Sequence, residues 1–323
     1  VRSGIDRDLD AVLDGDDNCP AVANPLQEDD NSDGIGNACD PEFVAIPTNA
    51  QRACVDTMNK LGFQLARTQG TDVHRCIQNG QQGNATKLGP VGMQTAQACL
   101  RNDVRGRVLA KATKLGERDA AKCTAPATPG FAYTGAAAMT APATDTVLLL
   151  EERLFGTDLD ASLASNVAGD AARDAKGARC QREIWTRSSK LFDQLWRTTL
   201  AAKRNALRGR NRVTGGGADV PTTDADELAG EILAVLTNDA TGKIQQRVDA
   251  LADRAQIVCG DPQISTPLVD LFPGACSAAA PGPLASCAEA AARCSFCRSL
   301  AAFDDLPLAC DGFDDGTENG SCP

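Results

Sequence analysis

Oxygen-bearing side chains at regular spacing are the residues of this sequence that could do chemistry. Asp6, Asp8, Asp10, Asp14 and Asp17 stand at positions 1, 3, 5, 9 and 12 of a 12-residue stretch, and Asp29, Asn31, Asp33, Asn37 and Asp40 stand at the same positions 23 residues later. A hard cation such as Ca2+ takes about six to eight oxygens at about 2.3 to 2.6 Å, and a loop offering oxygens at alternate positions wraps around it, position 7 giving its backbone carbonyl. Val12 and Ile35 occupy position 7. Both loops are therefore expected to hold Ca2+. A solvated acidic tail would carry similar charge, but it has no reason to repeat this spacing twice.

Around the loops run Asp17-Asn18-Cys19-Pro20, Asn24-Pro25-Leu26-Gln27 and Asp33-Gly34-Ile35-Gly36-Asn37-Ala38-Cys39-Asp40. On these residues the segment from 6 to 40 resembles a thrombospondin type 3 repeat. The resemblance implies an extracellular calcium-binding segment that wraps chain around metal with almost no apolar core, and a disulfide between Cys19 and Cys39. Two departures stand out. Ala11 occupies a place where the pattern has Gly and where φ is usually positive, so the first loop is expected to be strained or weaker. Asn31 and Asn37 replace Asp, which keeps the oxygens and lowers the charge.

Other chemistry is sparse. The single histidine, His74, lies in a helical pattern two residues before Cys76 and reads as structural. There is no Gly-x-Ser-x-Gly elbow, no His-Glu-x-x-His and no phosphate-cradling glycine loop. A carboxylate pair acting on a glycoside needs only Asp or Glu, but also an aromatic-lined cleft, for which slender hairpins leave little room. Cys294-Ser295-Phe296-Cys297 lacks the following His of a haem attachment, since Arg298 stands there, and has no second close pair for zinc. Disulfides account better for Cys276, Cys287, Cys294, Cys297, Cys310 and Cys322, with their pairing left open. Asp311, Asp314, Asp315 and Glu318 could hold another cation, although the alternating ladder is missing. The chain is expected not to be an enzyme.

The elements around these residues read as helices. Val55, Met58, Leu61, Leu65, Val73 and Ile77 recur at three- and four-residue spacing, the glycines between Asn79 and Gly92 mark a turn, and a second helix is predicted from Met93 to Lys122 with Leu100, Val104, Val108, Ala112 and Leu115 on one face. Facing residues of an antiparallel hairpin have a constant sum of numbers, which Cys54 with Cys123 and Cys76 with Cys99 satisfy to within two. Two disulfides are thus expected to staple the hairpin. Ala98 to Asp103, Gly106-Arg107-Val108 and Cys123 recur at an offset of 136 as Ala234 to Asp239, Gly242-Lys243-Ile244 and Cys259, and Lys60-Leu61-x-x-Gln64-Leu65-x-Arg67 recurs as Lys190-Leu191-x-x-Gln194-Leu195-x-Arg197. The second copy keeps one staple, Cys180 with Cys259. It has Val235 for Cys99 and Ala206 near the counterpart of Cys76. Trp185, Phe192 and Trp196 lie at helical spacing on the predicted helix from Ala171 to Arg208 and read as core.

The expected fold is mainly α, with two long disulfide-stapled antiparallel hairpins. Five segments are predicted: a calcium-binding segment at 1–42, hairpin 1 at 43–125, an Ala/Thr/Pro-rich linker at 126–167, hairpin 2 at 168–262 and a cysteine-rich segment at 263–323. Through the helix pairs and the ending Cys310-Asp311-Gly312-Phe313-Asp314-Asp315-Gly316 to Cys322, residues 50 to 323 resemble a group of cysteine-rich secreted bacterial proteins.

Fourteen cysteines point to an oxidising compartment. The chain opens Val1-Arg2 with no apolar run behind it, so it is expected to be a mature product whose targeting segment was removed or omitted, located outside the cell or on its surface. No apolar run is long enough for a membrane span. The net charge of −11 is uneven: −10 over residues 1–42, +5 over 43–303 and −6 over 304–323. With 4% aromatics and no concentrated basic face, nucleic acid is excluded as a partner. The expected function is a non-catalytic structural subunit that associates with copies of itself head to tail in a fibre or layer. The alternative is a calcium-dependent adhesion module that engages cell-surface or matrix glycans.

Overall fold

The computed structural model describes residues 5–29, 34–36, 38–40, 47–210, 212–214 and 220–322. The chain forms two compact units, Val1–Ile46 and Pro47–Pro323. Among its described residues the first unit has neither helix nor strand, and Cys19 is its one fully buried apolar side chain.

The second unit is helical. The helix α1 (Asn49–Gln81) opens on a capping box in which Thr48 Oγ1 accepts from Gln51 N–H and Gln51 Oε1 accepts from Thr48 N–H. At 33 residues it runs roughly 50 Å. Its return arm is broken into α2 (Ala96–Asn102) and α3 (Arg107–Lys122), where the sequence pattern predicts one helix. The break has a local cause. Asp103 takes the left-handed conformation at φ 38°, Gly106 does so at φ 63°, and the Asp103 carboxylate accepts the N–H groups of Arg107 (2.9 Å) and Leu109 (2.8 Å). One aspartate thus ends α2 and caps α3. Val104, predicted for the buried face, falls in this break and is exposed.

The region 126–167 is not a linker. After α3 the chain enters α4 (Gly135–Phe155), which buries Met139, Ala143, Val147, Leu150 and Leu154 and packs on α1 and α3. The short α5 (Leu159–Ser162) follows. Ala, Thr and an internal Pro142 disguise α4: the proline removes one N–H, and the carbonyl of Pro142 accepts from Thr146 Oγ1 at 2.7 Å.

The second copy consists of α6 (Ala175–Ala206), α7 (Ala225–Asn238) and α8 (Lys243–Cys259). Asp239 (φ 36°) and Gly242 (φ 63°) repeat the break, and Asp239 Oδ2 accepts from Gln245 N–H at 2.9 Å. After α9 (Leu268–Leu271), α10 (Pro281–Asp304) packs on α6 and α8 as α4 packs on α1 and α3, and α11 (Cys310–Asp314) closes the chain. Each copy is therefore the predicted antiparallel hairpin with one further helix packed on it. The four segments predicted after residue 42 merge into one compact body, with α1 against α6 and α4 against α10.

Trp196 sits where the copies meet. Its ring centroid lies 6.1 Å from Phe63 on α1, 5.5 Å from Phe296 and 5.0 Å from Phe303 on α10. Gly62 makes room there, since a Cβ at this position would lie 2.5 Å from Phe303 Cε2. Seven disulfides form: Cys19–Cys39, Cys54–Cys123, Cys76–Cys99, Cys180–Cys259, Cys276–Cys287, Cys294–Cys322 and Cys297–Cys310. Among the described residues no helix is long and apolar enough to cross a membrane.

Candidate metal centre

Among its described residues the first unit has almost no apolar core and is held by polar contacts and the Cys19–Cys39 disulfide. Position 1 of each acidic loop accepts the N–H of position 6: Asp6 Oδ2 from Ala11 (3.1 Å) and Asp29 Oδ2 from Gly34 (3.0 Å). Ala11 has φ 77° and Gly34 has φ 91°, so the departure at position 6 places an alanine in the left-handed region. The two loops thus share their first turn. Between them, Gln27 Oε1 accepts from Asn18 N–H at 2.8 Å while Gln27 Nε2 donates to Asp17 Oδ1 at 2.8 Å. Gly36 N–H donates to the Asn18 carbonyl at 2.9 Å, and a Cβ on Gly36 would meet Cys19 Sγ at 2.6 Å. The disulfide, Asn18 and Gln27 therefore set the spacing of the loops.

Carboxylate oxygens of Asp6, Asp8 and Asp10 lie within 4.8 Å of one another. Asp6 Oδ1 accepts from Leu9 N–H, Asp10 Oδ1 from Val12 N–H and Asp10 Oδ2 from Asn24 N–H. Asp8 differs. Both its oxygens are shielded from water and lack a well-aligned hydrogen-bond donor, and the same holds for Asp17 Oδ2 and Asp29 Oδ1. Shielding from solvent, then the charges of Asp10 and Asp17, hold the Asp8 carboxyl above its usual range. Orphaned anionic oxygens beside like charges are costly unless a cation fills the gap, and this donor set of hard oxygens suits Ca2+. The residues present therefore fit such an ion.

Asp14 does not join the cluster. Arg7 holds it, through Nε to Oδ2 at 3.1 Å and through its backbone N–H to Oδ1 at 3.0 Å. Asp40 is buried, and Ile35 is exposed. Asn31, Asp33 and Asn37 lie outside the described residues.

The C-terminal acidic loop is arranged differently. Asp311 accepts from the N–H groups of Cys322 (2.9 Å) and Gly320 (2.8 Å), Asp314 Oδ2 from Ser321 Oγ (2.8 Å) and Asp315 Oδ1 from Thr317 N–H (2.9 Å). The Cys322 and Gly320 N–H groups hold Asp311, and Thr317 Oγ1 and then Asn319 Nδ2 hold Asp315, below the ordinary carboxylate range. The carboxylates are spent on folding their own loop. Asp314 also lies beside Cys294 and Cys322, but those sulfurs are bonded to each other.

The helical unit has a cleft that the sequence pattern does not suggest. It encloses about 310 Å³ between α1, α4 and α6, lined by Val147, Leu150, Trp185 and Phe192 with His74 and Asp193 at its polar side. Trp185, Phe192 and Trp196 are buried, as their spacing predicts, and Trp185 Nε1 donates to the Gly70 carbonyl at 3.3 Å. Burial and then Arg182 depress the His74 pKa, while burial pushes Asp193 up to about 6 against the pull of Arg67 and Arg197. Thr186 Oγ1 lies 3.5 Å from His74 Nδ1, longer than the roughly 2.6 to 3.2 Å of a nucleophile held by its base.

No family model, curated protein or solved structure matches this chain.

Proposed function

We propose that this chain is a non-catalytic extracellular protein that binds Ca2+ through its N-terminal loops. The observation that carries this reading is the set of shielded, unpaired oxygens on Asp8, Asp17 and Asp29, on two loops that share the same first turn. Asp6, Asp8, Asp10, Asp17 and the Val12 carbonyl would hold one ion. Asp29, Asn31, Asp33, Asn37, Asp40 and the Ile35 carbonyl would hold the other, and Asp14 reaches the first site only by releasing Arg7. Bound Ca2+ supplies positive charge and a fixed coordination sphere. With so little apolar surface buried among its described residues, the unit would couple metal binding to ordering. Fourteen cysteines, all in disulfides, support the extracellular setting.

The finer reading is that the calcium-loaded chain associates with copies of itself, as a subunit of a fibre or layer. The uneven charge is compatible with it: −10 over residues 1–42, +5 over 43–303 and −6 over 304–323 let the acidic N-terminal segment of one copy be drawn to the mildly basic stretch 43–303 of another, and a head-to-tail contact propagates. The test has two arms. Calorimetric titration of metal-free protein should show Ca2+ binding, and residues 6–40 should become resistant to protease as the ion is added. Light scattering at rising concentration should then show assemblies that chelator disperses. Equal protease sensitivity with and without Ca2+ rejects the metal reading, whereas a calcium-bound monomer at all concentrations rejects only the assembly.

A further inference from the structure

The seven disulfides leave several helix joins uncovered, that of α6 with α10 among them. Cys180–Cys259 ties α6 to α8, and the remaining bonds of the C-terminal region stay within residues 276–322, so no disulfide fastens α10 to α6. At that join lies a buried charged pair. Lys203 near the end of α6 and Asp304 at the end of α10 have side chains 2% and 0% exposed. Lys203 Nζ stands 2.6 Å from Asp304 Oδ2, an ion-pair contact whose groups are poorly aligned for a hydrogen bond, and neither atom has another partner. At that distance an unaligned approach brings the nitrogen against the carboxyl group without the usual donor geometry. Asn59 Nδ2 donates to the other oxygen, Asp304 Oδ1, at 3.0 Å, and is itself oriented by the Val55 carbonyl at 3.1 Å.

A dry site favours the neutral forms of both groups. Burial pulls the Lys203 pKa down and pushes that of Asp304 up, each against the attraction of its partner. A free amine against an undissociated carboxyl, with water excluded and a donor on the carbonyl oxygen, is the arrangement that amide condensation requires.

We propose that Lys203 and Asp304 condense to an intramolecular isopeptide bond that ties α6 to α10. One ammonium proton passes from Nζ to Oδ2, leaving a neutral amine and a carboxylic acid. The Nζ lone pair adds to Cγ, and Asn59 Nδ2 stabilises the charge that develops on Oδ1. The Cγ–Oδ2 bond then breaks, and Oδ2 leaves as water, carrying the acid proton and one further proton from nitrogen. The products are an amide and one water, with no oxidant, reductant or cofactor consumed. Asn59 stays on Oδ1, now the amide carbonyl.

Mass spectrometry of the full chain, denatured, reduced and alkylated, tests this directly. The chain should weigh one water less than its sequence, and trypsin should yield one branched peptide joining the segment around Lys203 to that around Asp304, with no cleavage after Lys203. Lys203→Met should have full sequence mass. Asp304→Asn should give the same linked product by loss of ammonia. The wild-type measurement needs no variant to fold: a chain of full mass that trypsin cuts after Lys203 overturns the proposal. A water loss that persists in Lys203→Met overturns it too, because the missing water then comes from elsewhere.

Discussion

Removing the inner staple of the first hairpin copies a change that the second copy already carries. Cys76→Ala with Cys99→Val gives the first copy the residues of the second, where Ala206 and Val235 stand, and all four positions are buried or half-buried in the helical unit. Volume is roughly kept, so the main effect falls on the unfolded chain. Cys76–Cys99 spans 23 residues and lies inside Cys54–Cys123, which spans 69. With the outer bond intact, the inner pair is already confined to a ring, and loop-closure entropy gives its removal a cost of about 3 kcal/mol. Removing the outer pair as Cys54→Ala with Cys123→Ala, while the inner bond shortens the loop, should cost about 4 kcal/mol. Unfolding in urea without reductant, followed by the fluorescence of Trp185 and Trp196, reads both. With a slope near 3 kcal/mol per molar, the midpoints should fall by about 1 M for the inner pair and somewhat more for the outer. Unchanged midpoints, or a larger loss for the inner pair, would refute the loop-closure argument and place the stabilisation in native packing.

Three further outcomes are expected. Asp8→Asn and Asp29→Asn should each weaken Ca2+ binding on the order of tenfold, measured by calorimetric titration, since each removes a charged oxygen left unpaired by the protein; affinities equal to wild type would remove these residues from the sites. Asp103→Ala should lower the melting temperature by more than Asp239→Ala, because Asp103 caps two N–H groups of α3 and Asp239 one of α8; each cap is worth about 1 kcal/mol. Glu151, buried on α4, has its carboxyl pushed up to about 8, by burial first and by Glu152 second. The folded state therefore keeps a proton that the unfolded chain releases above 4.5, so this group's contribution is full below 4.5 and is lost as pH rises to about 8. Glu151→Gln should remove that part of the decline, a few kcal/mol by denaturation at pH 5 and pH 8.5, and identical slopes for the two proteins would contradict it.

Much of the helical unit is written locally. Three- and four-residue periodicity gives α1 and α6, and the register of an antiparallel pair gives Cys54–Cys123 and Cys76–Cys99, because both depend on helix geometry alone. The repeated Asn-Asp-x-x-Gly also recurs at its offset. Its meaning is harder to see, since a helix break needs the left-handed φ of Asp103 and Asp239, which periodicity averages away. The first turn that the two acidic loops share is equally local, because Asp6 with Ala11 and Asp29 with Gly34 stand five residues apart.

Tertiary structure decided what spacing could not. Composition marks α4 as a linker, yet its small side chains suit close packing on α1 and α10, a virtue visible only when those partners are in place. Arg7 takes Asp14 out of the oxygen cluster through a contact that no ligand spacing encodes. Cys294–Cys322 and Cys297–Cys310 depend on how residues 305–322 fold back on α10, and Asn59, Lys203 and Asp304 come from three helices distant in sequence. A sequence carries period and register within an element. Which buried faces meet, and which charges are stranded between them, is fixed by packing the elements together.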